Sequence, residues 1–456
     1  MSVLGAGKSG LAAAELMLKA GASPFVSEYG TIPKEGRELL GRLGVPFEEG
    51  GHTVRAYEAG FCIVSPGIPQ TAPVLLEMER RGIPLYSEIE AASWFCPARI
   101  VGITGTDGKT TTATLIHRIC EIEGLSSGFR AFSVGNIGVP FASKVLETGP
   151  GDIVVLELSS YQLERCFNFR PDVSVLTNIT PDHMDRYGGD IHAYARAKFR
   201  IHANQGAADT LVYNFDDPML RAHFDVAGPL PFRVVRFGMH DCPVGPGEAG
   251  SVTLLDGSIV ERSGDSQVAV IGVGEFVKPS FRGEHNLYNA LAAVAAARAL
   301  GVSSASIREA LVQFGGVKHR QEFAGSACGL EWINDSKATN VNAMRQALQA
   351  VPAGMVLIAG GRDKGNDYGA VSGLVREKVS CIVAIGESRM KLVRAFDGIV
   401  RVVTAETLRE AVTEAARIAV PGSTVLFSPG CSSFDMFRDF EDRGEQFKQL
   451  VRELQS

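Results

Sequence analysis

The stretch RIVGITGTDGKTTT (residues 99–112) has the residue types and the spacing of a phosphate-binding turn. Gly105 and Gly108 interrupt a short apolar strand, and Lys109 opens a run with apolar residues at helical spacing. In such a turn backbone N–H groups converge on an anion, a lysine reaches the outer phosphates and a hydroxyl ligates magnesium. Lys109 is therefore the predicted phosphate lysine and Thr110 a predicted magnesium ligand. A strict Walker motif has one more glycine, five residues before Gly108, so an ordinary glycine turn is the alternative.

Polar side chains follow the next two apolar runs of the sequence. Glu157 ends IVVLE, and DVSVL is followed by Asn178, Asp182, His183 and Asp185. Parallel strands bring their carboxyl ends to one edge of a sheet, which is where ligands bind. Since a carboxylate beside a phosphate loop suits magnesium, Glu157 is the second predicted metal ligand, and the DHMD cluster is predicted to be functional rather than structural.

Lys198 lies in the predicted helix YARAKFRI, between Arg196 and Arg200. A solvated basic face is the simple interpretation of this spacing. A lysine that points inward at magnesium ions would be anomalous as a free cation. If Lys198 is interior, we therefore expect it to be carbamylated or paired.

The N-terminal segment contains two strand-to-turn elements. GAGKSG (residues 5–10) stands between a strand and an alanine-rich helix, and the following strand ends at Glu28, which is the order of a dinucleotide-binding fingerprint. In FCIVSPGIP, Ser65 and Gly67 would place backbone N–H groups at the same sheet edge, so that two turns could hold a nucleotide diphosphate. Close helix–strand packing and a plain Pro-Gly loop are the respective alternatives. Asn136 occupies a further glycine-flanked turn.

Asparagines begin the helical segment GEHNLYNALAAVAAARALG (residues 283–301). Asn286 and Asn289, next to His285, could contact an adenine or a ribose. Capping of the helix by Asn286 is the alternative.

The C-terminal third repeats the strand-turn-helix pattern. Strands lead into NDSKATN, into GGRDKGND and into SPGCSSFD, and KHRQEF precedes them. These turns would bring Lys337, Lys364, Ser432 and Ser433 to one sheet edge, which suits an anionic substrate and a transferred phosphoryl group.

The strands and helices that carry these residues alternate along the chain, which indicates an α/β protein. The chain length indicates three domains. We expect a Rossmann-like N-terminal domain at residues 1–92 and a central P-loop ATPase-like parallel-sheet domain at 93–316. Residues 317–456 are expected to form a Rossmann-like C-terminal domain. Alternating polar and apolar pieces between about 225 and 280 predict a small antiparallel insertion in the central domain, without chemistry of its own.

The bulk composition restricts the functional class. A net charge of −6 disfavours nucleic acid as a partner, since phosphate contacts need clustered lysine and arginine. No signal peptide and no bilayer-spanning run is expected, so no membrane partner is predicted. The eight cysteines are scattered singly, without a CxxC pair, which suits reduced thiols in a cytoplasm.

Seven motifs together resemble the Mur ligases of peptidoglycan synthesis. In chain order they are GITGTDGKTTT, ELSSYQLE, TNITPDHMDRY, HNLYNALAA, KHRQE, NDSKATN and SPGCSSFD. They are most similar to those of the members that add D-glutamate, and they cover nearly the whole chain. That family uses GTxGKT phosphate loops, so the missing glycine is no objection.

The resemblance implies ATP-dependent addition of D-glutamate to UDP-N-acetylmuramoyl-L-alanine through an acyl phosphate, with ATP and two Mg²⁺ ions. The protein is separately expected to be a monomer. The implied catalytic residues are Lys109, Lys198, His183, Lys337 and Lys364. Glu157, His183, Thr110 and carbamylated Lys198 would be metal ligands. The implied ATP-binding residues are Gly105, Thr106, Asp107, Gly108, Lys109, Thr110, Thr111, Asn286, Asn289, Arg320 and Asp335. The implied UDP-sugar-binding residues are Lys8, Ser9, Glu28, Ser65, Pro66, Gly67, Asn136 and His183. The implied D-glutamate-binding residues are Lys337, Thr339, Lys364, Ser433 and Phe440.

This sequence departs from the family pattern at two places. Glu28, Tyr29 and Gly30 replace a polar and basic pair near the uracil, and Arg362 replaces an acidic residue found in some relatives. The contacts of these residues are therefore left open.

Three other functions compete with this one. Another ligase of the same architecture, such as folylpolyglutamate synthase or a Mur ligase for a different amino acid, would share the phosphate loop. An NAD(P)-dependent oxidoreductase is suggested by GAGKSG alone, and a nucleotide-binding switch would bind ATP without amino-acid-dependent turnover.

Overall fold

The structure is a computed structural model that describes residues 1–136, 138–184, 186–225, 228, 230–240, 242–245, 248–278, 281–363 and 365–455. The chain divides into two compact units. One unit comprises residues 1–277 and 284–314, and the other comprises 278–283 and 315–456. Three β-sheets, all flanked by helices, make up this mixed α/β fold.

The first sheet has five parallel strands in the order β3–β2–β1–β4–β5. Its strands are β1 (Ser2–Leu4), β2 (Phe25–Glu28), β3 (Phe47–Glu49), β4 (Cys62–Val64) and β5 (Leu85–Ser87). Its helices are α1 (Lys8–Lys19), α2 (Lys34–Leu43), α3 (Pro73–Arg80) and α4 (Glu88–Ser93). The strand order reverses between β1 and β4, so the turns after these two strands face the crevice in which ligands of doubly wound sheets bind.

The central sheet has nine strands in the order β14–β13–β12–β11–β10–β9–β6–β8–β7. Its strands are β6 (Arg99–Thr104), β7 (Ala131–Gly135), β8 (Ile153–Glu157), β9 (Val173–Leu176), β10 (Thr210–Asn214), β11 (Arg233–Gly238), β12 (Gly250–Leu255), β13 (Ser258–Ser263) and β14 (Ser266–Gly272). Its helices are α5 (Lys109–Ser127), α6 (Ser160–Leu163), α7 (Ile191–Phe199), α8 (Pro218–Asp225), α9 (Val273–Phe276), α10 (Glu284–Ala299) and α11 (Ser304–Gln313). β8 is buried along its whole length, as the continuous apolar run IVVL predicts for a strand covered on both faces.

The expected antiparallel insertion is part of this sheet rather than a separate one. β12 pairs in parallel with β11, and only β13 and β14 run antiparallel. β12 pairs with the free edge of β11, and β13 and β14 then extend the sheet by one strand each.

The third sheet belongs to the second unit and has the order β15–β16–β20–β17–β18–β19. Its strands are β15 (Glu322–Ala327), β16 (Leu330–Asn334), β17 (Met355–Gly360), β18 (Val379–Ile385), β19 (Arg401–Thr404) and β20 (Thr424–Phe427). Its helices are α12 (Val341–Ala350), α13 (Ser372–Lys378), α14 (Arg389–Ala395), α15 (Leu408–Ile418) and α16 (Phe440–Glu453). All neighbouring strands are parallel except β15 and β16, and buried apolar clusters cover both faces.

Five short 3-10 helices complete the secondary structure of the described ranges. They are Val54–Tyr57, Phe141–Ser143, Val145–Glu147, Arg200–His202 and Tyr368–Val371. No helix among the residues that the structure describes combines the length and the hydropathy needed to cross a bilayer.

Candidate active site

The predicted phosphate loop lies between β6 and α5, at the carboxyl edge of the central sheet. Gly105 and Gly108 have φ angles of +152° and +81°, values that side chains rarely allow. A Cβ atom at Gly105 would lie 1.9 Å from Thr177 Oγ1, and one at Gly108 would lie 2.3 Å from Asn289 Oδ1. Both positions therefore require glycine for space as well as for conformation.

The loop is held by the segment that follows β9. The N–H groups of Thr106 and Asp107 donate to the backbone and side-chain oxygens of Asn178, at 2.9 and 2.8 Å. The Thr177 hydroxyl donates to the Asp107 carbonyl at 2.6 Å. Because β6 pairs with β9 up to Thr104, these residues directly follow the paired strands and fix the loop backbone.

Two lysines contact the loop. Lys109 Nζ donates to the carbonyls of Gly105 and Thr106 at 2.9 and 2.7 Å, and Lys198 Nζ donates to Gly105 at 2.6 Å. Lys198 is only 1% exposed. Burial, and secondly the charge of Lys109, lower the pKa of Lys198 well below its ordinary value. The sequence left a solvated basic face open as an alternative for this helix, and for Lys198 that alternative is wrong.

Glu157 ends β8 and lies opposite Ile103 of β6 in the sheet register. Its side chain is buried, and Oε1 accepts a hydrogen bond from Asn136 Nδ2 at 3.0 Å. The structure thus brings a predicted metal ligand into contact with a predicted UDP-sugar residue. Asn136 remains exposed to solvent, so it can also contact a ligand.

His183 lies in the loop after β9, with a φ angle of +53° and a half-exposed side chain. Its ring centroid is 5.0 Å from that of Tyr161, and Nε2 is 3.5 Å from Asp182 Oδ2. Asp185, the last member of the predicted cluster, lies outside the described residues.

The donor set around the loop fits magnesium in its chemistry, since it combines a buried carboxylate, Glu157, with the hydroxyl-bearing Thr110 at the start of α5. Within the described ranges no three His, Cys, Asp or Glu side chains gather into a metal-binding group. Magnesium bound at nucleotide phosphates usually takes only one or two protein carboxylates and completes its shell with phosphate and water oxygens.

Asn286 and Asn289 are in contact with each other, and Asn289 also contacts α5. Asn289 Nδ2 donates to Asn286 Oδ1 at 3.2 Å, and the Thr112 hydroxyl donates to Asn289 Oδ1 at 3.2 Å. The capping alternative for Asn286 is wrong, because α10 begins at Glu284 and Asn286 lies within it. Asn289 instead packs beside Gly108 of the phosphate loop.

The two predicted turns of the first sheet meet at its carboxyl edge. Ser65 Oγ donates to the Gly5 carbonyl at 3.3 Å. Glu28 accepts hydrogen bonds from the N–H groups of Ala6 at 2.7 Å and Gly30 at 2.9 Å, so its carboxylate holds the first turn. The remaining predicted residues of this edge are Lys8, Ser9, Pro66 and Gly67, all fully or partly exposed.

A cluster that was not predicted from the sequence connects the first and central sheets. Arg186 forms a bidentate pair with Glu164, at 3.1 and 2.6 Å, and its Nη1 is 3.5 Å from the Pro66 carbonyl. Its guanidinium lies 4.1 Å from the ring centroid of Tyr161, and Tyr187 donates to Glu164 at 2.6 Å. Arg186 and Tyr187 follow the DHMD motif directly and could have drawn attention to this cluster. Sequence spacing does not show, however, that their partner Glu164 lies 22 residues before Arg186.

In the second unit, Asp335 is buried after β16. It accepts hydrogen bonds from Ser428 Oγ at 2.7 Å and from the Gln321 N–H at 3.2 Å. Burial raises the pKa of Asp335 to about 7, although Ser428 and the nearby Arg320 act in the opposite direction. The carboxyl can therefore exchange a proton near neutral pH.

A buried arginine, also missed from the sequence, joins the two loops predicted to hold D-glutamate. Arg443 of α16 donates to the Ser336 hydroxyl and carbonyl at 2.9 and 2.7 Å, and to the Cys431 carbonyl at 3.1 Å. Ser336 immediately precedes Lys337, and Cys431 lies two residues before Ser433, so this side chain holds both loops in place.

The structure also describes other residues that were predicted for the D-glutamate site. Thr339 and Lys337 are partly buried, and Phe440 begins α16, where its carbonyl accepts from the Ser336 hydroxyl at 2.8 Å. Lys364 lies outside the described residues. Arg362, whose role was open, pairs at the surface with Glu387 at 3.1 Å.

Family models match three parts of the chain. The MurD N-terminal domain matches residues 1–74, the Mur ligase middle domain 103–297, and the Mur ligase glutamate ligase domain 319–431.

Curated relatives match over the full length. A protein named UDP-N-acetylmuramoylalanine--D-glutamate ligase from Chlorobaculum tepidum is 68% identical, over 99% of this chain and 97% of its own. The protein of the same name from Chlorobaculum parvum is 67% identical, over 100% and 98% respectively.

Solved structures share the fold at low identity. The UDP-N-acetylmuramate-alanine ligase MurC from Thermotoga maritima is 20% identical with a TM-score of 0.58, over 99% of both chains. E. coli FolC in complex with DHPP and ADP is 17% identical with a TM-score of 0.56, over 80% of this chain and 92% of its own. The fold alone therefore does not separate the competing ligases, whereas the curated relatives do.

Proposed function

Since the chain belongs to the Mur ligase family, we propose that it is the ATP-dependent ligase that joins D-glutamate to UDP-N-acetylmuramoyl-L-alanine in peptidoglycan precursor synthesis. The observation that carries this proposal is the full-length similarity to ligases named for that reaction. The glycine-requiring loop between β6 and α5 supports it independently, because a phosphate-binding turn is what ATP requires. The ligase assignment replaces the oxidoreductase alternative that GAGKSG suggested.

Amide formation from a carboxylate needs activation, because water competes as a nucleophile and hydroxide is a poor leaving group. In the proposed reaction the L-alanyl carboxylate attacks the γ-phosphorus of ATP, and ADP leaves. The neutral amine of D-glutamate then attacks the acyl phosphate carbon, phosphate leaves, and the nitrogen loses a proton. Lys109 would offset the charge that develops on the γ-phosphoryl oxygens.

Thr110, Glu157 and His183 are the residues proposed to hold magnesium, which supplies a Lewis acid at the phosphoryl oxygens. Lys198 is proposed to act as a carbamate. Its burial and lowered pKa favour the neutral amine, which is the form that adds to CO₂. Carbamylation would replace a buried cation with an anion. We also propose a second magnesium ion.

The three sheets support a division of labour among the substrates. We assign residues 1–92 to the UDP-sugar, 93–316 to ATP and 317–456 to D-glutamate. The proposed ATP contacts remain Gly105 to Thr111, Asn286, Asn289, Arg320 and Asp335. The proposed D-glutamate contacts remain Lys337, Thr339, Lys364, Ser433 and Phe440. A cytoplasmic monomer is also proposed, since ATP is supplied there, and light scattering after gel filtration tests the oligomeric state.

A substrate panel tests the assignment. Phosphate release from ATP would be measured with UDP-N-acetylmuramoyl-L-alanine and, in turn, D-glutamate, L-glutamate, a diamino acid, and a folate with L-glutamate. Release should require both the UDP-sugar and D-glutamate. Activity only with the folate or the diamino acid would replace the assignment by another ligase, and ATP binding without amino-acid-dependent release would indicate a nucleotide switch.

A further inference from the structure

Three loops of the second unit follow three neighbouring strands of the third sheet. β20 lies between β16 and β17 and is parallel to both, so the three loops leave the same edge of the sheet. They are the β16 loop (residues 335–340), the β17 loop (361–367) and the β20 loop (428–433). In that order they carry the proposed D-glutamate contacts Lys337 with Thr339, Lys364, and Ser433. The β20 loop, in the middle, can therefore contact both of its neighbours.

Gly430 connects the β20 loop to both neighbouring loops. Its N–H donates to the carbonyl of Ala338 in the β16 loop at 2.9 Å. Its carbonyl accepts a hydrogen bond from Nδ2 of Asn366 in the β17 loop at 3.0 Å. Gly430 is buried with a φ angle of +65°, and an added Cβ would lie 2.5 Å from Met344 Cε. A single closely packed residue thus joins all three loops.

Asn366 supplies the side chain in this connection. A carbonyl oxygen can only accept hydrogen bonds, so the amide nitrogen of Asn366 and not its oxygen must face Gly430. The same nitrogen lies 3.3 Å from Sγ of the buried Cys431, the next residue of the β20 loop. An alanine at position 366 would take this donor away from the Gly430 carbonyl. Loss of a partner is costly for a buried polar group, because water cannot replace it.

The β17 loop is attached to the β20 loop near both of its ends. Near its start, the Arg362 N–H donates to the Ser432 carbonyl at 3.0 Å. Near its end, Asn366 donates to Gly430. In the sequence Lys364 stands between these two attachments. The first attachment is made by backbone atoms and is independent of side-chain identity, whereas the second depends on the amide of Asn366.

We propose that Asn366 is a positioning residue that fixes the β17 loop on the β20 loop and so sets the affinity of the site for D-glutamate. A substrate held by side chains from three loops binds more weakly when the loops move independently, because binding must then order them. This inference rests on the proposed function, which assigns those side chains to D-glutamate. Asn366 acts through the loops and not through contact with the substrate.

The test measures the KM values for D-glutamate, ATP and the UDP-sugar separately, by phosphate release with the full chain. Asn366→Ala should raise the KM for D-glutamate about tenfold, the effect of one lost hydrogen bond to a buried carbonyl, and should leave the other two KM values nearly unchanged. Asn366→Asp conserves the size of the side chain but sets a carboxylate oxygen against the carbonyl. It should raise the KM for D-glutamate at least as much.

Thr407→Ala is the matched control in the same unit. The Thr407 hydroxyl accepts a hydrogen bond from the Glu410 N–H at 3.1 Å and caps α15, so its loss should lower the melting temperature without changing any KM. A merely structural role for Asn366 predicts the behaviour of this control, with an unchanged KM for D-glutamate. That result, or an equal rise of all three KM values, would overturn the inference. No D-glutamate-dependent phosphate release by the unmodified chain would instead overturn the proposed function.

Discussion

At the level of single residues, two lysines donate to one backbone oxygen, that of Gly105. Lys109 is partly exposed and also donates to the Thr106 carbonyl, whereas Lys198 is buried. Two neighbouring cations disfavour each other's charge, and burial penalises the charge of the inner one further. The local environment thus separates an outer lysine suited to phosphate from an inner lysine suited to modification.

Lys198→Ala should reduce ligase activity by at least about 100-fold, a loss typical of groups that stabilise transition-state charge. Short carboxylates such as acetate or propionate should restore part of that activity, because they can occupy the space of a carbamate. Phosphate release with all three substrates is the measurement. Full activity of the variant would exclude Lys198 from the mechanism, and Lys198→Arg, which cannot be carbamylated, should not be rescued.

Gly108 and Gly128 form a matched pair at the two ends of α5, with φ angles of +81° and +76°. Replacement of either residue by alanine should cost about 1–2 kcal/mol of backbone strain. Only at Gly108 would the added Cβ also meet Asn289, whereas nothing lies within 4 Å at Gly128. Gly108→Ala should therefore weaken ATP binding about tenfold, and Gly128→Ala should lower the melting temperature without changing ATP affinity. Equal ATP affinities would contradict this role of the loop.

At the level of elements, Arg186 joins three segments of the first unit. It pairs with Glu164 after α6, lies over Tyr161 of α6, and approaches Pro66 in the turn after β4. Glu164 and Arg186 are 6% and 15% exposed, and a bidentate pair with so little solvent contact has a defined geometry. The turn proposed for the UDP-sugar is thereby held against the loop that carries His183.

Arg186→Lys should raise the KM for the UDP-sugar about tenfold, since a lysine cannot reproduce the bidentate geometry, and should leave the KM for ATP nearly unchanged. Arg170→Lys is the matched control. Arg170 forms a similar bidentate pair with Asp209, at 2.7 and 3.1 Å, but at the amino ends of β9 and β10. The control should lose stability without a change in KM. If both variants change KM equally, the Arg186 pair has no special role in positioning.

At the level of the whole molecule, α4 links the first sheet to the central one through two buried carboxyl groups. Glu90 accepts hydrogen bonds from the backbone N–H groups of residues 167–169. Glu88 accepts from the Ala142 N–H at 2.6 Å, and its other oxygen has no hydrogen-bond partner among the described residues. Burial raises the pKa of Glu88 to about 7, although two backbone N–H groups act against it.

The raised pKa of Glu88 predicts the sign of a pH effect on stability. The folded chain holds the Glu88 proton more tightly than the unfolded chain, whose carboxyl titrates near 4.5. This contribution is complete below that value and is lost as the pH rises through about 7. Glu88→Gln should thus raise the melting temperature more at about pH 8 than at about pH 5. Glu90→Gln, which places an amide NH₂ group against backbone N–H donors, should lower the melting temperature at both pH values. A pH-independent effect of Glu88→Gln would contradict the raised pKa of Glu88.

Much of the fold could be predicted from the sequence because its signals are local. Apolar runs followed by glycine turns and helical spacing locate β6 with α5, and β8, within a few residues. The strands after β11 were harder, since alternation of polar and apolar residues predicts antiparallel strands but not the sheet that they join. Pairing across a sheet edge depends on which edge the rest of the fold leaves open.

The sequence by itself was enough to predict a phosphate-binding turn after β6, because glycine, lysine and threonine at that spacing act through their own backbone and a few neighbouring residues. It also determined the family, through motifs that cover nearly the whole chain. Only the tertiary structure showed that Lys198 is buried against Gly105, that Glu157 contacts Asn136, and that Arg186 and Arg443 each hold distant loops together. Burial and pairing between residues far apart in the chain depend on the packing of whole elements, and no local pattern records them.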